Sequence, residues 1–129
     1  MIQKDKNNKG FKRLKNSFKY AFEGLVLVYK RAQTLGIMAV ISFIILILGF
    51  LFKISYFEWI VILLLVCLVN SLEFINTSIE FTVDLLTKER NILAKHSKDT
   101  ASSAVLIASI FSSIIGLMIF IPKIVSIFK

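Results

Sequence analysis

Three carboxylates set in an otherwise apolar stretch are the residues best placed to do chemistry. Glu73, Glu80 and Asp84 follow one another at intervals of 7 and 4 residues, so on a helix they fall within about 40° of one another. Asn76 and Thr77 border the same stripe. An acid at the centre of a bilayer costs at least a few kcal/mol, and intramembrane acids usually face a bundle interior or a wet cavity. Stacking at 7 residues suits Glu73 and Glu80 to joint work on one polar ligand. A purely structural role, pairing with Lys88, Arg90, Lys95 or Lys98, is open to all three acids and weighs most for Asp84. The string Lys98-Asp99-Thr100-Ala101-Ser102-Ser103 leads into a further apolar block. Asp99 or Thr100 can cap the helix expected there by accepting from its exposed N–H groups, and a lysine beside a helix N-terminus suits phosphate. On these residues alone, capping plus a solvated lysine is the more common explanation; it is the combination with Glu73 and Glu80, carboxylates for a divalent cation beside a lysine for phosphate, that raises phosphate chemistry.

The elements that must position these residues follow from composition. The chain has 129 residues, a formal net charge of +8, and 57% hydrophobic content, above the roughly 45–50% of an ordinary soluble domain. Disorder is excluded, and a single Cys rules out an internal disulfide framework. The apolar residues lie in blocks. Residues 35–52 carry no charge until Lys53, and 101–121 form a second uncharged run closed by Pro122. Between them, 58–86 begins as an apolar run and continues as helical sequence through the acidic stripe. Each is long enough to cross a hydrocarbon core of about 30 Å. The fold class is an all-α membrane protein with three transmembrane helices forming one membrane domain, the loop between the second and third spanning 87–99.

Lys and Arg number nine before the first block, one in the first loop, four in the second and two at the C-terminal end. That alternation predicts a cytoplasmic N-terminus. The late start of the first apolar run argues against a cleaved signal peptide. Beyond a flexible tail at 1–9, residues 10–31 place Phe11, Leu14, Phe18, Phe22 and Leu25 at intervals of 3, 4, 4 and 3, one stripe of a helix. Lys12, Lys15 and Lys19 flank it. This predicts a helix lying in the membrane interface, in preference to one packed on a protein neighbour. Nucleic-acid binding would also use basic residues, but three spans disfavour it. His96 reads as a solvated loop residue and Cys67 as packing. Ala104, Ala108, Ser112 and Gly116, spaced by four, read as a helix–helix interface within or between subunits.

The string Glu73-Phe74-Ile75-Asn76-Thr77-Ser78-Ile79-Glu80, followed by Asp84 and by Lys98-Asp99 with small residues to Ala104-Val105, resembles the small bacterial integral-membrane lipid kinases, diacylglycerol kinase and undecaprenol kinase. Gly10-Phe11-Lys12-Arg13 and the run from Ser17 to Gly24 look like the N-terminal helix of that family, the latter more like its undecaprenol kinase branch. The likeness covers residues 10–122. It implies a homotrimer in the bacterial inner membrane that phosphorylates a lipid alcohol with ATP and Mg2+ at the cytoplasmic face, without a P-loop. By resemblance Glu73 is the general base, Asn76 supports the site, and Glu80 is the magnesium ligand and also meets the nucleotide. Lys98 and Asp99 hold the nucleotide, and Glu89, Arg13 and Tyr20 match positions lining the nucleotide or lipid pocket. These roles suit in-line phosphoryl transfer.

One position departs from the family. Just before the first span the family carries a Glu that joins the metal site, where this chain has Ala32 in Arg31-Ala32-Gln33-Thr34. Glu23 is about half a revolution away along a helix and does not replace it. Magnesium commonly takes only one or two carboxylates together with substrate phosphates, so Glu80 can serve at weaker affinity. The resemblance therefore implies a lipid kinase of reduced activity. Its alternative is a catalytically impaired relative that binds lipid or acts in assembly.

Overall fold

Long apolar runs can satisfy their backbone groups inside a bilayer only as helices or closed barrels, and this sequence has no strand alternation to build the latter. The computed structural model describes residues 9–127, side chains of Lys9 and Arg31 excepted. They form α1 (Lys9–Arg31), α2 (Gln33–Leu51), α3 (Tyr56–Leu86) and α4 (Ile92–Ile127). Helices α2, α3 and α4 are each long and apolar enough to cross a membrane. Of the tail expected at 1–9, Lys9 already belongs to α1; the remainder lies outside the described residues, as do Lys4, Lys6 and Lys129, which entered the charge count.

The chain divides after Gln33 into two compact units, one holding α1 and the other α2 to α4. In the first, α1 carries the periodic stripe as an exposed apolar face: Phe11, Leu14, Phe18, Phe22 and Leu25 are all exposed. Lys19 and Glu23, one turn apart, pair at 3.8 Å. Arg13 and Tyr20 stand exposed on this helix.

In the second unit α3 packs along α4. The residues α3 buries, Ile62, Val69, Glu73, Asn76 and Thr77, are spaced to share one face, and α4 answers with Val105. Helix α2 is tied in by an Asn70 Nδ2–H bond to Ser42 Oγ at 3.0 Å. At the far end Phe52 meets Phe120 edge-on, ring centroids 6.0 Å apart. Gly49 is required there: a Cβ on it would lie 2.8 Å from Cη2 of Trp59, and the missing side chain is what lets the indole close on α2.

The short connection between α2 and α3 is held by its own backbone. Lys53 N donates to Phe50 O and Ile54 N to Gly49 O, both at 3.2 Å. This is a Schellman end with Lys53 in the left-handed position, φ 48°, a place usually taken by glycine. Ser55 then opens α3 with a capping box. Its Oγ accepts from Glu58 N at 3.3 Å, and its own N–H donates to Glu58 Oε2 at 2.6 Å. The same Glu58 Oε2 lies 2.9 Å from Lys123 Nζ on α4.

Two expected boundaries differ. Helix α4 begins at Ile92, not at residue 101, because Asn91 Oδ1 accepts from Leu93 N at 2.8 Å and Ala94 N at 3.3 Å. Asn91 is thus the cap in place of Asp99 or Thr100, and the connection expected over 87–99 shrinks to 87–91. Nor does Pro122 end the last helix, which runs on to Ile127. Proline removes one backbone donor, and the Lys123 pair to Glu58 holds the turn beyond it. The small-residue stripe on α4 is only partly used within the chain. A Cβ on Gly116 would meet nothing within 4 Å, since Ser112 and Gly116 border an apolar cleft of about 440 Å³ between the three spans.

Candidate functional site

The acidic stripe of α3 is turned into the protein. Glu73, Asn76 and Thr77 expose only 4%, 7% and 3% of their surface, so Glu73 does not project into lipid. Their 3- and 4-residue spacing within a 31-residue helix stacks them on one face. Asn76 Nδ2 donates to Glu80 Oε1 at 3.2 Å, which fixes the carboxylate one turn further along. The other end of the same amide, Oδ1, is buried with no hydrogen-bond partner among the described residues. An orphan acceptor beside an oriented carboxylate fits a bound hydrated cation or a donor from substrate, because burying such a group unpaired costs free energy.

Beyond Glu80 the stripe opens into a polar cavity of about 560 Å³ where α3 ends and α4 begins. Asp84, Glu89, Lys98 and Asp99 all line it, so four residues singled out in the sequence meet in one space. Lys98 Nζ sits 2.5 Å from Asp84 Oδ1. Lys98 reaches this point from within α4, two turns past its start, and not from a helix N-terminus. The expectation that it sits beside a helix dipole's positive end is therefore corrected, for the reason that Asn91 starts the helix earlier.

The connection that shapes this cavity is short and locked. Thr87 N donates to Val83 O at 3.1 Å, closing α3, and Glu89 N donates to Thr87 Oγ1 at 3.2 Å. Three cations not singled out as site residues, Lys88, Arg90 and Lys95, also line the cavity. Their clustering within eight residues was a usable signal, but only as candidate ion-pair partners for the acids. The tight connection brings them to one rim.

For a divalent cation the donor set is sparse. No three His, Cys, Asp or Glu side chains come together among the described residues. Glu80 is the oriented carboxylate, and a magnesium ion held there would complete its shell from phosphate oxygens and water, its common habit. A buried carboxylate and an oriented second carboxylate about two turns along thus lead to a cavity lined by four cations and three acids.

Comparison with known proteins follows the same direction. Residues 19–120 match the family described as prokaryotic diacylglycerol kinase. An undecaprenol kinase of Bacillus subtilis (strain 168) is 41% identical over 123 residues, covering 95% of this chain and 99% of that one. A diacylglycerol kinase of Helicobacter pylori (strain J99) is 35% identical over 103 residues, 80% of each chain. A diacylglycerol kinase of Haemophilus influenzae is 32% identical over 99 residues, 77% of this chain and 84% of its own.

Proposed function

The chain belongs to the prokaryotic diacylglycerol kinase family, and from that premise we propose that it transfers the γ-phosphate of ATP to the hydroxyl of a membrane lipid alcohol. The lipid is undecaprenol or diacylglycerol, and the near full-length match to an undecaprenol kinase favours the prenol. The observation that carries this reading is Glu73, buried on α3 one turn from the Asn76–Glu80 pair. Among the described residues no hydrogen bond or ion pair occupies its carboxylate, which leaves it able to accept the hydroxyl proton.

In this reading Glu73 takes the hydroxyl proton as the lipid oxygen attacks the γ-phosphorus and the bond from that phosphorus to the β–γ bridging oxygen breaks, releasing ADP, while Asn76 keeps Glu80 turned toward the phosphates. Lys98 and Asp99 hold the nucleotide from α4, and Glu89 lines its cavity. By resemblance alone, Arg13 and Tyr20 match positions that line the nucleotide or lipid pocket in the family. Glu80 would hold Mg2+, which when bound would supply charge neutralisation for the transferring phosphate. The exposed aromatic stripe of α1, bordered by lysines, suits a helix in the interface of the cytoplasmic leaflet. The charge alternation supports a cytoplasmic N-terminus in the bacterial inner membrane. The resemblance to the family is what supports a homotrimer.

The test is ATP-dependent phosphorylation of undecaprenol and of diacylglycerol in detergent micelles. Glu73→Gln should lower kcat by about 10²- to 10⁴-fold, the usual worth of a positioned base. Equal turnover by wild type and variant would sink the assignment. Ala32 favours a second reading, a non-catalytic lipid binder or assembly protein, which gains support if neither protein binds ATP.

A further inference from the structure

The Lys98–Asp84 pair does more than neutralise two surface charges. Lys98 is half-buried, whereas the cavity's other cations, Lys88, Arg90 and Lys95, are exposed. A lysine has four rotatable side-chain bonds and three donors. One donor is engaged by Asp84 Oδ1 at 2.5 Å, and the other two remain to meet phosphate oxygens. Asp84 itself stands one turn beyond Glu80 on the same face of α3, so the ammonium is held level with the end of the acidic stripe. We propose that Asp84 is a positioning residue for phosphoryl transfer: it holds the Lys98 ammonium at the cavity between α3 and α4 for the nucleotide phosphates. This rests on the reading of Lys98 as a phosphate ligand. Protein kinases, on an unrelated fold, likewise require an acid–lysine pair to be in place before the lysine serves the α- and β-phosphates.

The sign of the effect separates positioning from simple repulsion. A carboxylate beside phosphate would on charge alone weaken nucleotide binding, so its removal would lower KM for ATP. If Asp84 instead pre-orders Lys98, its removal returns the cost of immobilising a long side chain to the binding step.

The experiment measures kcat and KM for ATP and for the lipid in Asp84→Asn, Asp84→Ala, Asp84→Glu, Lys98→Ala and the double alanine variant, in the full chain in micelles. Asp84→Ala and Asp84→Asn should raise KM for ATP roughly 2- to 10-fold, leaving KM for the lipid and the thermal midpoint unchanged. Asp84→Glu should recover part of the loss. Added to Lys98→Ala, Asp84→Ala should change KM by less than about 2-fold, since the two act through one ammonium. A fall in KM for Asp84→Asn, an unchanged KM, or fully additive effects would overturn the proposal alone. If Lys98→Ala leaves KM for ATP unaltered, the reading of Lys98 as a phosphate ligand fails, and the proposal falls with it.

Discussion

Asn76 donates from one end of its amide to Glu80 Oε1, 3.2 Å away, and leaves the other end, Oδ1, buried without a partner among the described residues. An amide used in this way orients its neighbour and keeps an acceptor in reserve. Asn76→Ala should therefore cost more than packing. Loss of a partner that orients a metal-ligating carboxylate typically costs about 10- to 100-fold in metal affinity or activity. Magnesium titration of the kinase rate checks this: the half-saturating concentration should rise in Asn76→Ala, and an unshifted curve would separate Asn76 from the cation.

Ala32 follows the last turn of α1, its N–H bonded to Val28 O at 2.8 Å, and by resemblance it stands where a metal-binding Glu is expected. Ala32→Glu should lower the magnesium concentration needed for half-maximal rate and raise turnover. No gain in either would mean that the rest of the metal site is not competent.

Gly49 and Trp59 report on the packing of α2 against α3. A Cβ on residue 49 would stand 2.8 Å from Cη2 and 3.0 Å from Cζ2 of the indole, closer than carbon atoms settle. Gly49→Ala should destabilise by about 1–3 kcal/mol, the usual cost of overpacking. Since Trp59 is the only tryptophan, its fluorescence reads the displacement directly, and an unchanged spectrum would contradict the contact.

Ser55 and Lys123 converge on one carboxylate. Ser55 N donates to Glu58 Oε2, and Lys123 Nζ approaches the same oxygen at 2.9 Å. Ser55→Ala should cost about 1 kcal/mol through the lost cap, seen as a lower thermal midpoint in detergent. Lys123→Ala removes a different contact, the one to Glu58 Oε2, while the Ser55 backbone N–H to that oxygen survives in Ser55→Ala, so the two effects should add to within about 0.5 kcal/mol.

What sequence alone determined was everything that depends on local order. Apolar blocks, two of them uncharged and the middle one extended by helical sequence, marked three helices long enough to span, a 3- and 4-residue apolar rhythm marked α1, and the spacing of Glu73, Asn76 and Glu80 placed them on one helical face. Helix periodicity is a property of neighbours along the chain, and so is readable from it. Tertiary structure decided the rest. Which acid meets Lys98, that Glu73 is buried, and that Lys88, Arg90 and Lys95 share a cavity all depend on how α3 and α4 lie against each other. The start of α4 is illegible in the sequence for a related reason. Asn91, Asp99 and Thr100 are all competent caps, and the choice among them falls to whichever side chain reaches free N–H groups, a matter of loop geometry. Likewise Pro122 is a helix breaker by type, yet an ion pair to a residue more than sixty positions away holds the turn that follows it.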